Sequence, residues 1–168
     1  GITSITIPAS VLYFRDQEFQ DCTSLTSVIF ESGSQLRYID RAFASNDSSG
    51  YGAPITTIVI PVSVHGIGEE AFKKCYNLTA ILVPSGITYS NDAFMGANSL
   101  SNVFFYNKTD EKFYTGVKTD DNITQGSTEI TATSSQTLDE MAAYFGDDAA
   151  AGKAYIASLG YTVWPDPE

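Results

Sequence analysis

The feature that most constrains this chain is a short motif that recurs. Four segments share the form apolar-x-x-apolar-x-apolar: Leu25, Val28 and Phe30; Ile55, Ile58 and Ile60; Leu78, Ile81 and Val83; Leu100, Val103 and Phe105. A fifth copy opens the chain at Ile2, Ile5 and Ile7. Pro follows three of the five, as Pro8, Pro61 and Pro84. Behind the first four lies a second apolar set: Val11/Phe14, Leu36/Ile39, Val64/Ile67 and Ile87. A Phe then recurs as Phe19, Phe43, Phe72 and Phe94, with Ala42, Ala71 and Ala93 preceding three of them. Successive motifs start 23, 30, 23 and 22 residues apart, counted from Ile5 to Val103. The long interval has a local cause. Residues 46–54 are almost all turn formers and carry the extra six positions.

A unit of this size cannot bury its apolar side alone. Stacked copies align equivalent positions into continuous ladders, so the pattern predicts a solenoid. The alternation through Val28 and Phe30 suits a strand, and strands in register lie about 4.8 Å apart. Phe19, Phe43, Phe72 and Phe94 are expected to form one internal column. Proline just after a strand ends the ladder without wasting a donor.

The pattern resembles the BspA-type leucine-rich repeat. That unit runs roughly L-x-x-[IV]-x-[IV]-P-x-x-[VI]-x-x-I-G-x-x-A-F-x-x-C, and the copy from Ile58 to Leu78, with Pro61, Ile67, Gly68, Ala71, Phe72 and Cys75, fits it best. The resemblance covers residues 2–106. Departures are the loop at 46–54, the missing Gly after Ile39, and Ser90 where an Ile is expected. It implies an α/β leucine-rich-repeat solenoid, β-rich, with parallel strands and short helical or irregular returns. It further implies a bacterial surface or secreted protein that binds host or microbial partners, with no catalytic residues.

Composition bears on the partner. The chain of 168 residues has 20 acidic and 9 basic side chains, a net charge of −11. Nucleic acid and anionic membrane both need a basic footprint and are excluded. Residues 1–106 account for only −4 of that charge; the rest falls in 107–168. Ser and Thr together number 35, so hydroxyls dress much of the surface. No apolar run reaches the ~18 residues of a membrane span. Gly1 followed directly by a β-type run reads as a trimmed start, so a missing leader says nothing about the compartment; the resemblance implies an extracellular or cell-surface location with a leader removed.

After Tyr106 the repeat stops, which divides the chain into a solenoid at 1–106 and a cap or accessory segment at 107–168. Residues 107–126 are polar around Phe113, Tyr114 and Val117, and 115–137 have the composition of a linker or edge strand. Helical signals follow. Thr137 to Glu140 has capping-box form, with Leu138, Met141, Ala142 and Phe145 on one face. A second helix is expected at 149–159 and a short strand at 161–164. The segment therefore reads as a small α+β cap or an accessory module.

Chemistry-bearing residues are sparse. His65 is the sole histidine, at a variable position expected to face solvent. With two cysteines it supplies neither a nucleophilic triad nor a common zinc set. Asp120-Asp121 and Asp147-Asp148 could recruit calcium, but neither lies in a calcium-loop motif. Glu69-Glu70 reads as a solvated edge. No catalytic, metal or cofactor residue is assigned.

The candidate partner surface comes from the strands. In each motif the fifth residue points away from the core, giving Thr6, Ile29, Val59, Leu82 and Phe104. This column is apolar over four consecutive rows, which soluble monomers rarely expose. Three explanations stay open: a partner site, a face covered by the C-terminal segment, or plain β-propensity. Tyr51 in the loop is a second candidate contact. The expected role is non-enzymatic adhesion to a host or microbial surface protein or glycan. The alternatives are an architectural spacer and, more distantly, a glycan-processing enzyme built on unrecognised carboxylates.

Cys22 and Cys75 occupy one ladder two rows apart, roughly 10 Å at ~4.8 Å per row. A disulfide needs Cα atoms closer than about 7 Å. Titration of the denatured chain with a thiol reagent should therefore count both cysteines as reduced; a lower count would overturn the ladder register.

Overall fold

The computed structural model of the chain describes residues 1–15, 18–31, 33–44, 50–110 and 112–130. The two expected helices at 138–145 and 149–159 and the strand at 161–164 lie outside the described residues. Each motif copy becomes one strand of a main face: β1 (Ser4–Ile7), β3 (Ser27–Phe30), β5 (Thr57–Val59), β7 (Ala80–Pro84) and β9 (Asn102–Asn107). These pair in parallel with the register the repeats imply: Ile5 with Val28, Ile58 with Ile81, and Ile81 with Val103.

Of the helical or irregular returns expected, the helical form is not seen, because no helix occurs among the described residues. A second, narrow parallel sheet runs through them instead: β2 (Tyr13–Phe14), β4 (Tyr38–Ile39), β6 (Gly66–Ile67) and β8 (Thr88–Tyr89). The physical reason lies just after Phe19, Phe72 and Phe94. Asp21, Lys74 and Gly96, two positions past Phe19, Phe72 and Phe94, have φ of 57°, 57° and 76°. A left-handed residue closes a single turn and blocks helix propagation. Cys22, Cys75 and Ala97 then donate their N–H groups back to the Phe carbonyls at 3.3, 3.2 and 3.0 Å. The described residues thus form a β-rich solenoid of stacked parallel strands. The narrow sheet also re-registers the fourth row: Tyr89, not Ser90, pairs with Ile67.

The Phe column forms as expected. Ring centroids lie 5.3 Å apart from Phe19 to Phe43, 5.2 Å from Phe43 to Phe72, and 5.2 Å from Phe72 to Phe94. The planes tilt by only 10°, 23° and 8°. Backbone bonds run beside the rings. Phe19, Phe43 and Phe72 donate their N–H groups to the carbonyls of Ala42, Ala71 and Ala93 in the next row, at 3.0, 3.1 and 2.8 Å. All three alanines are fully buried. Their small side chains let one row approach the next at this point.

Of the two readings of 115–137, linker or edge strand, the described part up to residue 130 takes the strand form. β10 (Lys112–Lys118) folds back antiparallel on β9, and β11 (Ile123–Ile130) pairs with β10 as the edge strand. The hairpin connection stands in for a missing next row. Phe94 donates its N–H to the Asp121 carbonyl at 3.0 Å, and the Asn122 amide donates to the Ser90 carbonyl at 2.8 Å. Ile123 joins the core. The close approach demands glycine at 116, where a β-carbon would lie 2.3 Å from the Phe105 ring.

One irregularity interrupts the main face. β1 pairs only with β3, and a separate five-stranded sheet begins at β5. The break falls where the extra loop enters, between the second and third rows. Thr56 still donates its N–H to the Thr26 carbonyl, at 3.3 Å. The narrow return sheet crosses the same point without a gap.

The column carries much of the packing. Phe72 is fully buried between two ring neighbours, so Phe72→Ala should lower the free energy of unfolding by about 3–5 kcal/mol in a urea titration. A loss well under ~1 kcal/mol would show that the column is not a principal contact.

Candidate functional site

The outward column from the strands points as the alternation predicts. Val28, Ile58, Ile81, Val83, Val103 and Phe105 belong to the solenoid core, whereas Leu82 and Phe104 do not. Their exposure departs from the expectation. Ile29 and Val59 are half-buried, Leu82 is 1% exposed and Phe104 8%. The hairpin supplies part of the reason. β10 adds Phe113 to this face beside Tyr106, with ring centroids 5.1 Å apart, and both rings are buried together with Ala80, Leu82 and Phe104. An open apolar strip over four rows is therefore not what this face presents; only Ile29 and Val59 retain access.

Tyr51 behaves differently. It is the most exposed large apolar side chain among the described residues, at 65%. Its ring meets Tyr76 edge to face at 5.5 Å and 74°. Tyr76 directly follows the Cys75 turn of the third row, so the loop and the regular repeat each contribute one ring. A cavity of about 280 Å³ opens between Thr23, Tyr51, Gly52, Pro54, Tyr76 and Asn77. Residues 45–49, the first part of the loop, lie outside the described residues.

A second aromatic group lies on the narrow return sheet, where the sequence reading assigned nothing. Tyr13 and Tyr38 pair directly across β2 and β4 and stack with centroids 6.2 Å apart and planes 4° from parallel. The Arg15 guanidinium sits 4.4 Å over the outer ring, and His65 lies 6.3 Å beyond the inner one. Gly66 takes the next place in the ladder. A β-carbon there would lie 3.0 Å from the Tyr38 ring, so glycine makes room for it. The signal was present in the equivalent positions of Tyr13 and Tyr38 between neighbouring repeats.

The charged residues considered from sequence are paired or dispersed. Glu69 bonds Arg41, and Glu70 bonds Lys73. The bond to Glu69 and its charge raise the Arg41 guanidinium above its ordinary range. His65 is exposed. Among the described residues no group of three or more His, Cys, Asp or Glu could hold a metal ion, and no helix is long and apolar enough to cross a membrane.

With the stacked rows and their Phe column established, the comparison with protein families is decisive. The model described as "BspA type Leucine rich repeat region" matches residues 1–112 in six copies. The chain belongs to this family. Comparison of this BspA-type repeat chain with curated proteins and with solved structures returned no match.

The BspA-type Cys position is visible in two rows. Cys22 and Cys75 are both free, the first half-buried and the second fully buried. The Cys75 Sγ lies 3.7 Å from the Phe43 carbonyl, to which it donates. Burial pushes its thiol up to about 12 from an ordinary value near 9. Above pH 9 the unfolded chain releases this proton while the folded chain keeps it, so stability falls as pH rises from about 9 towards 12. Comparing urea midpoints across that range should show a shallower decline for Cys75→Ala than for the parent. Identical slopes would remove the thiol as a cause.

Proposed function

We propose that this chain is a non-catalytic recognition module, displayed at a cell surface or secreted, that adheres to a host or microbial surface protein or glycan. Membership in the BspA-type repeat family supports an interaction role. The observation that carries the reading is the Tyr51–Tyr76 corner, where the most exposed large apolar side chain meets a second ring over a cavity. Tyrosine supplies a large, stiff contact area with a polar tip, which is why it is enriched at recognition sites.

The corner displaces the strand column as the leading contact. Leu82 and Phe104 are buried and belong to the fold, which leaves Ile29 and Val59 as a lesser surface. A pure spacer has no use for paired surface rings, of which Tyr13, Tyr38 and Tyr51 are exposed and Tyr76 half-buried. Tyr51 with Tyr76 and Tyr13 with Tyr38 therefore weigh against that alternative.

Beads coated with the whole chain, incubated with epithelial cells and separately with bacterial cells, test the reading. Adhesion should exceed that of albumin-coated beads on at least one cell type. Tyr51→Ala should reduce it more than the double change Ile29→Ser, Val59→Ser. Adhesion no better than albumin on both cell types would sink the proposal.

A further inference from the structure

The inserted loop is not a free bulge, because its far end is stitched onto the solenoid. Gly52 donates its N–H to the Lys74 carbonyl at 3.0 Å, and Ala53 donates to the Phe43 carbonyl at 2.9 Å. The backbone presses so close that a β-carbon at 52 would lie 2.7 Å from the Lys73 carbonyl oxygen. Tyr51, one residue earlier, is thereby held outward against Tyr76 at a fixed position. The corner is built by the backbone, and its geometry does not depend on a ligand.

The walls then specify what can bind. Among the described residues no charged side chain lines the cavity. Its polar groups are the Thr23 hydroxyl, the two Tyr hydroxyls and the Asn77 amide, which together both donate and accept. None of these four side chains holds a hydrogen bond among the described residues, so all are available to a ligand. The Lys74 ammonium lies beside Gly50 and is not among the lining side chains of the described residues. An edge-to-face pair uses one face of one ring, which leaves the other faces for contact. Those faces carry partial negative charge and attract the positive edge of polarised C–H groups.

A pyranose offers the matching surface: a face of C–H groups bordered by a rim of uncharged hydroxyls. A charged group would find no counter-ion among the described lining residues, and an aliphatic peptide side chain would leave the rim of hydroxyls and amide unpaired. Such unpaired groups cost binding free energy. The volume is at the small end for ligand cavities, suited to one ring with the remaining chain in solvent. We propose that the Tyr51–Tyr76 corner is a binding site for a single neutral pyranose unit of a glycan, with Tyr51 as the stacking platform and Asn77 and Thr23 as hydroxyl partners. This assignment rests on the recognition reading above and narrows it to one ligand class.

Native gels cast with a soluble β-glucan, a galactomannan or an α-mannan test it with the whole chain, alongside a sensor surface carrying mucin before and after chemical deglycosylation. The chain should be retarded in at least one gel or captured by intact mucin. Tyr51→Ala should weaken that binding by about tenfold or more, as loss of a single aromatic anchor does. Tyr51→Phe should stay close to the parent, and Asn77→Ala should weaken binding. Tyr51 and Asn77 are exposed, so unchanged thermal midpoints will show that the variants fold. Three results overturn the assignment: no binding to any polysaccharide or to mucin, binding that Tyr51→Ala leaves intact, or equal capture by deglycosylated mucin. Beads that adhere to cells while every glycan test is negative would leave the recognition module standing and remove its sugar site.

Discussion

One contact repeats through this molecule, and the rest is arranged around it: the amide of each column Phe donating to the carbonyl just ahead of the next Phe. The bond joins row to row at the point where the rings stack, so backbone pairing and apolar burial are satisfied together. It explains why Ala stands before Phe43, Phe72 and Phe94, since a larger side chain would hold the rows apart. The contact also needs an ending. The last amide would have no next row, and the Asp121 carbonyl of the hairpin takes that place. A quasi-linear stack exposes an unpaired terminal row unless something of different sequence closes it.

The parts that were legible in the sequence are those the repeat encodes at fixed spacing. The strand register, the Phe column and the separation of Cys22 from Cys75 all follow from counting, because neighbouring rows must align equivalent residues. The hairpin was not legible. Its strand β10 has only Phe113, Tyr114 and Val117 as apolar anchors and is held largely by backbone pairing with β9, which composition does not record. The burial of Leu82 and Phe104 was hidden for a related reason: orientation on a strand is local, but exposure depends on what non-local chain reaches the same face. The Tyr13–Tyr38 stack shows in the sequence only as equivalent positions of two neighbouring repeats, because two-residue strands carry no alternation of their own.

The candidate site sits where the repeat is violated. Regular rows give this solenoid its rigidity and repeat the same surface from row to row, which offers little to distinguish one partner from another. The six added residues break that sameness at one place. Tyr51 comes from the insertion and Tyr76 from the undisturbed row beside it, so the corner needs both the exception and the rule. Sequence reasoning could nominate Tyr51 from its turn-rich neighbourhood. It could not supply Tyr76 as its partner, because that depends on the path by which the loop returns to the Cys75 turn.

The interrupted main face has a mechanical meaning. Between the second and third rows the wide sheet loses its regular ladder, while the return sheet and the Phe column continue across. Lateral bonding is thus unequal on the two sides of the same joint. A force that pulls the ends of the solenoid apart meets least resistance on the wide face there, and the two halves can splay on that side with the return sheet as the flexure. Compliance concentrated at one joint would let the stack bend under load before its rows separate. That joint lies beside the tyrosine corner, so bending would change the spacing of Thr23 on one side from Tyr51 and Tyr76 on the other.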